Sequence, residues 1–214
     1  MRMELSPRLT LDEQRTLAYW IRRLPVGFTE RLPRLKLAAA EQLRLAQARV
    51  VINEIPQQLA GRPEDHLHAA SYIPQRYVVL NRRLFRRRVE LGRILYHELC
   101  HFLWPRLGNP LRKGYEAMMR AEFAKGVRGE MGYSSEWRKE KLRGEGGGIA
   151  RQTRLWREYV CESFCDTASY VLLGSERRAG HSEYTLSRTA RERRERWMQE
   201  QVSGVRNART GARC

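Results

Sequence analysis

Two histidines and a glutamate stand at a spacing that suits metal chemistry, in the run Tyr96-His97-Glu98-Leu99-Cys100-His101-Phe102. On a helix, His97 and His101 project from one face, about one turn from each other. Two imidazoles so placed can bind one metal ion, with Glu98 beside the open coordination position. Glu98 can then take a proton from a water molecule that the metal polarises. The pattern predicts a catalytic metal site if the rest of the chain supplies a third ligand.

A third ligand is available downstream, in the run Cys161-Glu162-Ser163-Phe164-Cys165-Asp166. Glu162 and Asp166 share one face of a helix that we predict over residues 152–173. Glu162 can bind the metal, and Asp166 can accept a hydrogen bond from the outer ring nitrogen of a ligating histidine and fix its tautomer. Cys165 lies about one turn from Glu162 and is a rival ligand. The commoner alternative for this cysteine is a small, buried, reduced hydrophobe, which we favour.

The motif His97-Glu98-x-x-His101 followed by Glu162-x-x-x-Asp166 resembles the gluzincin branch of zinc metallopeptidases, the thermolysin-like pattern. The run that begins at Glu162 also resembles the minimal cytoplasmic zincins of the ImmA/IrrE kind. The resemblance implies that His97, His101 and Glu162 bind Zn²⁺, that Glu98 is the general base and that Asp166 orients a ligand. It also implies a small sheet before the metal-binding helix, with an edge strand that holds an extended peptide by main-chain pairing.

Three further side chains are candidates to stabilise an oxyanion during peptide hydrolysis. Tyr170 lies on the same predicted helix as Glu162, on a neighbouring face, together with Tyr159. A phenol there can donate a hydrogen bond to developing negative charge, although a core tyrosine is the commoner explanation. His181 and Tyr184 follow in a polar loop and are candidates by their order along a gluzincin-like chain. A solvated pair is the alternative for these two residues.

The periodicity of the chain predicts an α+β, mostly helical fold with three strands. The resemblance implies a zincin-like domain in which this small three-stranded sheet packs on the metal-binding helix. A capping box, Thr10-Leu11-Asp12-Glu13, opens a first helix that Pro25 stops. Leucine and alanine spacing predicts a second helix over residues 35–48. The predicted strands cover residues 49–52, 69–73 and 76–80, the last two joined by a turn at Pro74-Gln75. The metal-binding helix begins within residues 82–89 and ends at Pro105.

We predict one domain over residues 1–203, with a helical insert at about 107–150 and a flexible tail at 204–214. The insert contains helices at 110–125 and 135–142, broken by Gly126, Gly129 and Gly132, and a glycine-rich linker at 144–148. It can be a lid or a surface excursion, and the sequence favours neither. Residues 188–201 form a charged helix whose mixed signs predict a solvated face.

The composition fits a soluble globular protein of the cytoplasm, with 214 residues, 42% apolar residues and a mean hydropathy of −0.65. The sequence has no apolar run long enough to span a bilayer, no secretory signal layout and no spaced disulfide framework among its four cysteines. We therefore expect no membrane partner.

The net charge of +17 permits contact with nucleic acid or an acidic protein, but the excess arginine is spread from end to end and accompanies no recognised nucleic-acid motif. Two functions follow. The favoured one is a zinc metallopeptidase that acts on a peptide or protein substrate. The alternative is a non-catalytic, zinc-stabilised binding module that contacts nucleic acid or an acidic partner.

Overall fold

The computed structural model describes residues 3–46, 49–53, 68–144, 153–174 and 181–202. Contacts divide the chain into two compact units, Met1–Phe102 and Leu103–Cys214, which we call the first and the second unit. The predicted tail at 204–214 and residues 145–148 of the predicted linker lie outside the described residues. The predicted α+β, mostly helical class is confirmed, with helices in both units and the strands in the first.

The described residues of the first unit form six strands: β1 Met3–Leu5, β2 Leu35–Ala40, β3 Gln42–Ala46, β4 Arg49–Asn53, β5 Ala69–Tyr72 and β6 Tyr77–Asn81. The main sheet has the order β1-β2-β6-β5, with β1, β2 and β6 parallel and β5 antiparallel to β6. Strands β3 and β4 form a separate antiparallel pair. The sheet therefore has four strands rather than the predicted three, and the predicted strand at 49–52 belongs to the separate pair.

The predicted helix at 35–48 is wrong, because its residues form β2 and β3. Leucine and alanine are strong helix formers, and this local preference suggested a helix. However, β2 lies between β1 and β6 in the sheet, and Leu35, Leu37 and Ala40 are buried. Pairing on both edges and burial of these side chains outweigh the intrinsic propensity.

The described residues of the first unit form three α-helices: α1 Leu11–Arg22, α2 Val26–Arg31 and α3 Arg88–Leu103. The last residue of α3, Leu103, is the first residue of the second unit. The capping box is confirmed, since Thr10 Oγ1 accepts from the Glu13 amide and Glu13 Oε2 accepts from the Thr10 amide. Helix α2 follows Pro25, in a stretch where we predicted neither a helix nor a strand. Helix α3 carries the His-Glu-x-x-His motif and is preceded by a 3-10 helix, Arg82–Arg86.

In the part of the second unit that the structure describes there are a 3-10 helix, Trp104–Arg106, and four α-helices: α4 Asn109–Ala124, α5 Tyr133–Gly144, α6 Arg154–Leu173 and α7 Arg188–Gln201. The predicted helices correspond to these four, and Gly174 caps α6 with a φ of 57°. Helices α4, α5 and α7 all pack on α6. Helices α4 and α5 of the predicted insert therefore pack on α6, and the choice between a lid and a surface excursion stays a prediction.

Candidate metal centre

Helix α3 is held by its burial and by one close contact with α1. Leu91, Leu95 and Leu99 are fully buried. At Gly92, an added Cβ would lie 2.6 Å from Cε2 of Trp20, so only glycine allows the two helices to approach this closely. The Tyr96 hydroxyl then donates a hydrogen bond to the Trp20 carbonyl oxygen at 2.8 Å. The residues that follow Tyr96 are thus presented on a rigid, well-packed helix.

His97 and His101 come together as the sequence predicts. Their Nε2 atoms are 3.1 Å apart and their rings are inclined at 75°. Two nitrogen ligands at about 2.0–2.1 Å from a tetrahedral zinc ion would be about 3.3 Å apart. His97 is buried and His101 is half-buried. The two side chains therefore fit a shared zinc ion.

Glu98 lies between the two histidines in the sequence, and a residue of the main sheet holds its carboxylate by a hydrogen bond. The Ser71 hydroxyl of β5 donates a hydrogen bond to Glu98 Oε2 at 2.5 Å, and Ser71 Oγ is also 3.2 Å from the Glu98 carbonyl oxygen. The expected packing of the sheet on the metal-motif helix is seen in this contact. Sequence reasoning missed Ser71. Its only signal is a hydroxyl in a short strand otherwise made of alanine and tyrosine.

Glu162 and Asp166 lie one turn apart on α6, as predicted. Glu162 is half-buried, with Oε1 3.6 Å from Nη2 of Arg138 on α5. Asp166 is buried, and its Oδ2 accepts a hydrogen bond from the Ser135 hydroxyl at 2.6 Å. The histidines belong to the first unit and these carboxylates to the second, so Glu162 as a zinc ligand and Asp166 as the orienting group stay predictions.

Residues of the predicted insert form a frame around Asp166. Gly132 lies so close that an added Cβ would overlap the Asp166 carboxylate. Ser135, at the start of α5, lies with its Oγ 3.0 Å from the Gly132 carbonyl oxygen. Gly132 was noted in the sequence only as a helix breaker. The structure shows that this position must be glycine because a carboxylate occupies the space of its side chain.

The three candidate oxyanion stabilisers form one ring cluster in the second unit. The rings of Tyr170 and Tyr184 meet edge to face at 5.3 Å, and the His181 ring lies 5.4 Å from that of Tyr184. His181 Nδ1 accepts a hydrogen bond from the Glu183 amide at 3.2 Å. A neutral His181 would then carry its proton on Nε2, as a donor. All three residues are half-buried, and their role as oxyanion donors stays a prediction.

A buried ionic network behind α6 was not foreseen. Arg194 of α7 is fully buried, with Nη1 2.6 Å from Glu130 Oε2 and Nη2 2.6 Å from Glu122 Oε2. Lys139 Nζ and the Tyr159 hydroxyl both donate to Glu130 Oε1, at 2.8 and 2.6 Å. Helix α7 has exposed charges, as its mixed signs predict, but Arg194 lies on its buried face. Spacing of charges along one helix does not reveal the partners of Arg194, which lie on α4, on α6 and between α4 and α5.

The network shifts the pKa values of its members. Burial alone would raise the pKa of Glu130, but the charges and hydrogen bonds of Arg194 and Lys139 outweigh it and lower that pKa to about 2. Burial lowers the pKa of Lys139, although Glu130 opposes the change. Burial and the Glu130 charge raise the pKa of Tyr159, which therefore acts as a donor. The network thus pairs buried cations with buried carboxylates and holds α6 through hydrogen bonds to its side chains.

Three cysteines lie within the described residues and form no disulfide. Cys100 and Cys165 are buried and Cys161 is half-buried. Burial is compatible with both interpretations of Cys165, so the choice between a buried hydrophobe and a metal ligand stays a prediction.

Comparison with known proteins adds no family to these observations, since no family model, no curated protein and no solved structure matches the chain. Among the described helices, none has the length and apolar character that crossing a membrane requires.

Proposed function

We propose that this chain is a zinc-dependent metallopeptidase. His97 and His101 would bind Zn²⁺ with Glu162 as the third ligand, and Glu98 would act as the general base. The observation that carries the proposal is the 3.1 Å separation of the two Nε2 atoms on a buried, rigid helix. Two donor nitrogens at this distance suit a single ion, and a glutamate stands next to the first of them in the order that a water-activating site requires.

Bound zinc would lower the pKa of a water molecule and polarise the scissile carbonyl group. Glu98 would accept the proton of the attacking water and return it to the leaving amine. Ser71 supports this role, because its hydrogen bond fixes one carboxylate oxygen and leaves the other for the water. Asp166 would orient a ligating imidazole. Tyr170, His181 and Tyr184 would supply donors for the oxyanion.

The substrate class is an extended peptide or protein segment. Among the described residues, strand β5 forms one edge of the main sheet, and the hydroxyl group of its Ser71 contacts Glu98. A peptide paired with β5 would therefore run past the general base. The cytoplasm is the compartment that we propose, on the basis of the composition and the cysteine pattern.

The first test is the zinc content of the purified protein. We expect about one zinc ion per chain in the wild type, a sharp loss in His97→Ala and Glu162→Ala, and full retention in Glu98→Gln. The matched control is His68→Ala, which removes an exposed histidine of the first unit. A folded wild type without zinc, or a Glu162→Ala variant that keeps it, would contradict the proposed ligand set.

The second test is hydrolysis of a casein-derived peptide mixture, followed by mass spectrometry. Glu98→Gln should retain zinc and lose every cleavage that the wild type makes. If cleavage persists in Glu98→Gln, the mechanism is wrong. A zinc-loaded wild type that cleaves nothing, together with salt-dependent binding to duplex DNA, would favour the binding-module alternative, for which the net charge of +17 is the supporting observation.

A further inference from the structure

A cleft of about 210 Å³ opens in the second unit between the first turns of α4 and α6. Its lining includes two indoles, Trp104 and Trp156, and three cationic side chains, Arg112, Lys113 and Arg157. The proposed zinc chemistry uses none of these residues. Aromatic walls combined with convergent cations are the features of a site for a flat, anionic ligand.

The cationic side chains of the cleft lie near the N-terminal ends of α4 and α6, and such ends favour negative charge. Arg112, Lys113 and Arg157 lie just past the first turns of α4 and α6, and neither helix has an acidic residue in its first turn. The macrodipole is weaker there than at the first residues, but it has the same sign as these three charges. Gly108 at the N-cap of α4 supplies no side-chain cap. The excess positive potential at this cleft would be relieved by a bound anion.

The guanidinium of Arg112 is fixed and incompletely paired. Its Nη2 donates to Asn109 Oδ1 at 2.6 Å. Its Nε is buried from solvent and has no hydrogen-bond partner among the described residues. A buried donor without a partner is costly, and a ligand oxygen in the cleft would satisfy it.

The single carboxylate in the lining, Glu116, is already engaged. Its Oε1 accepts from Trp156 Nε1 at 2.8 Å and from Arg120 Nη2 at 2.7 Å. Burial alone would raise the pKa of Glu116, but these two hydrogen bonds lower it, so the group is ionised at neutral pH. Three cations and one carboxylate leave a net charge of about +2, which matches a phosphate monoester near neutral pH.

The aromatic wall is rigid on the side of Trp104. The centroid of the Trp104 ring lies 4.9 Å from that of Phe164 and 6.2 Å from that of Tyr115, which it meets edge to face. Trp104 is half-buried. A planar base can stack on such a ring without reordering it. The cleft is smaller than the roughly 300–1,000 Å³ of most drug-sized sites, so it suits one nucleotide and not a run of several.

We propose that this cleft binds a nucleoside monophosphate, with the phosphate at Arg112, Lys113 and Arg157 and the base against Trp104. A free nucleotide and the 5′-phosphorylated end of a single strand share this chemistry.

Calorimetric titration of the full chain with adenosine 5′-monophosphate tests the proposal. We expect a Kd below 1 mM, with adenosine and inorganic phosphate each bound at least tenfold more weakly. Absence of binding at 5 mM nucleotide would overturn the proposal. Equal binding of inorganic phosphate would overturn recognition of the base, and equal binding of adenosine would overturn recognition of the phosphate. Comparison with 5′-phosphorylated and 5′-hydroxyl adenine hexanucleotides identifies the source, because only a chain-end site prefers the phosphorylated strand over the free nucleotide.

Variants locate the site. Lys113→Gln and Arg112→Gln, combined, should weaken nucleotide binding at least tenfold. Lys113→Gln alone changes an exposed side chain and should weaken binding in the same direction. The matched control, Lys125→Gln with Arg128→Gln, removes the same charge from exposed positions outside the cleft and should bind as the wild type does. Equal weakening in both pairs would show a general charge effect and overturn the assignment.

Discussion

Ser71 donates a hydrogen bond to Glu98, with 2.5 Å between Ser71 Oγ and Glu98 Oε2. The contact joins strand β5 to the helix of the metal motif, so the sheet determines where the proposed general base points. A carboxylate with one oxygen held in this way has fewer orientations to lose before it accepts a proton.

Ser71→Ala should keep zinc and lose activity. Removal of a hydrogen bond to a charged group changes a free energy by about 1.5–3 kcal/mol, so we expect kcat/KM to fall by about tenfold or more. Peptide hydrolysis and zinc content measured together separate this effect from loss of the metal. Ser182→Ala, at an exposed position of the second unit, is the control and should behave as the wild type does. Unchanged hydrolysis in Ser71→Ala would show that the contact does not position Glu98.

Arg194→Met should strongly destabilise the protein. The substitution leaves the buried carboxylates of Glu122 and Glu130 without their main partner, which typically costs about 3–5 kcal/mol. Urea unfolding followed by circular dichroism measures the change. Arg196→Met removes an exposed arginine two positions along α7 and should alter the unfolding free energy by no more than about 0.5 kcal/mol. Similar values for the two variants would mean that the network contributes no specific stability.

Acid should remove the contribution of Glu130. Its pKa is about 2 in the folded protein and about 4.5 ordinarily, so its contribution is complete above about pH 5 and is lost as the pH falls towards 2. The difference in unfolding free energy between wild type and Glu130→Gln, on the order of 3 kcal/mol at pH 7, should therefore shrink between pH 5 and pH 3. Glu140→Gln, at an exposed site of α5, provides the comparison. A difference independent of pH would contradict the lowered pKa.

Gly132→Ala should destabilise the second unit and disturb Asp166. The added Cβ would overlap the Asp166 carboxylate, and overpacking of this kind costs about 1–3 kcal/mol. Thermal unfolding measures the loss. Gly144→Ala is the matched control, because an added Cβ at Gly144 meets no described atom within 4 Å, and alanine is the better helix former there. If both variants unfold alike, Gly132 is not required by the contact with Asp166.

Local patterns predicted α1, α3 and the four described helices of the second unit because their signals are local, but they missed α2. The capping box of α1, the apolar stripe of α3 and the glycine after α6 all specify structure through residues a few positions apart. The sheet was harder to predict from local sequence patterns. Whether residues 35–40 form a strand depends on β1 and β6, which lie far away in sequence, and helix propensity pointed to the wrong answer.

The sequence by itself determined the pairing of His97 with His101, because a four-residue step on a helix places two side chains on one face whatever surrounds them. It also determined that Glu162 and Asp166 share a face of α6. Only the tertiary structure showed that Ser71 holds Glu98, that Gly132 makes room for Asp166 and that Arg194 is buried between two carboxylates. Each of these contacts joins residues between 27 and 72 positions apart, and sheet order and helix packing decide such meetings because no short-range periodicity encodes them.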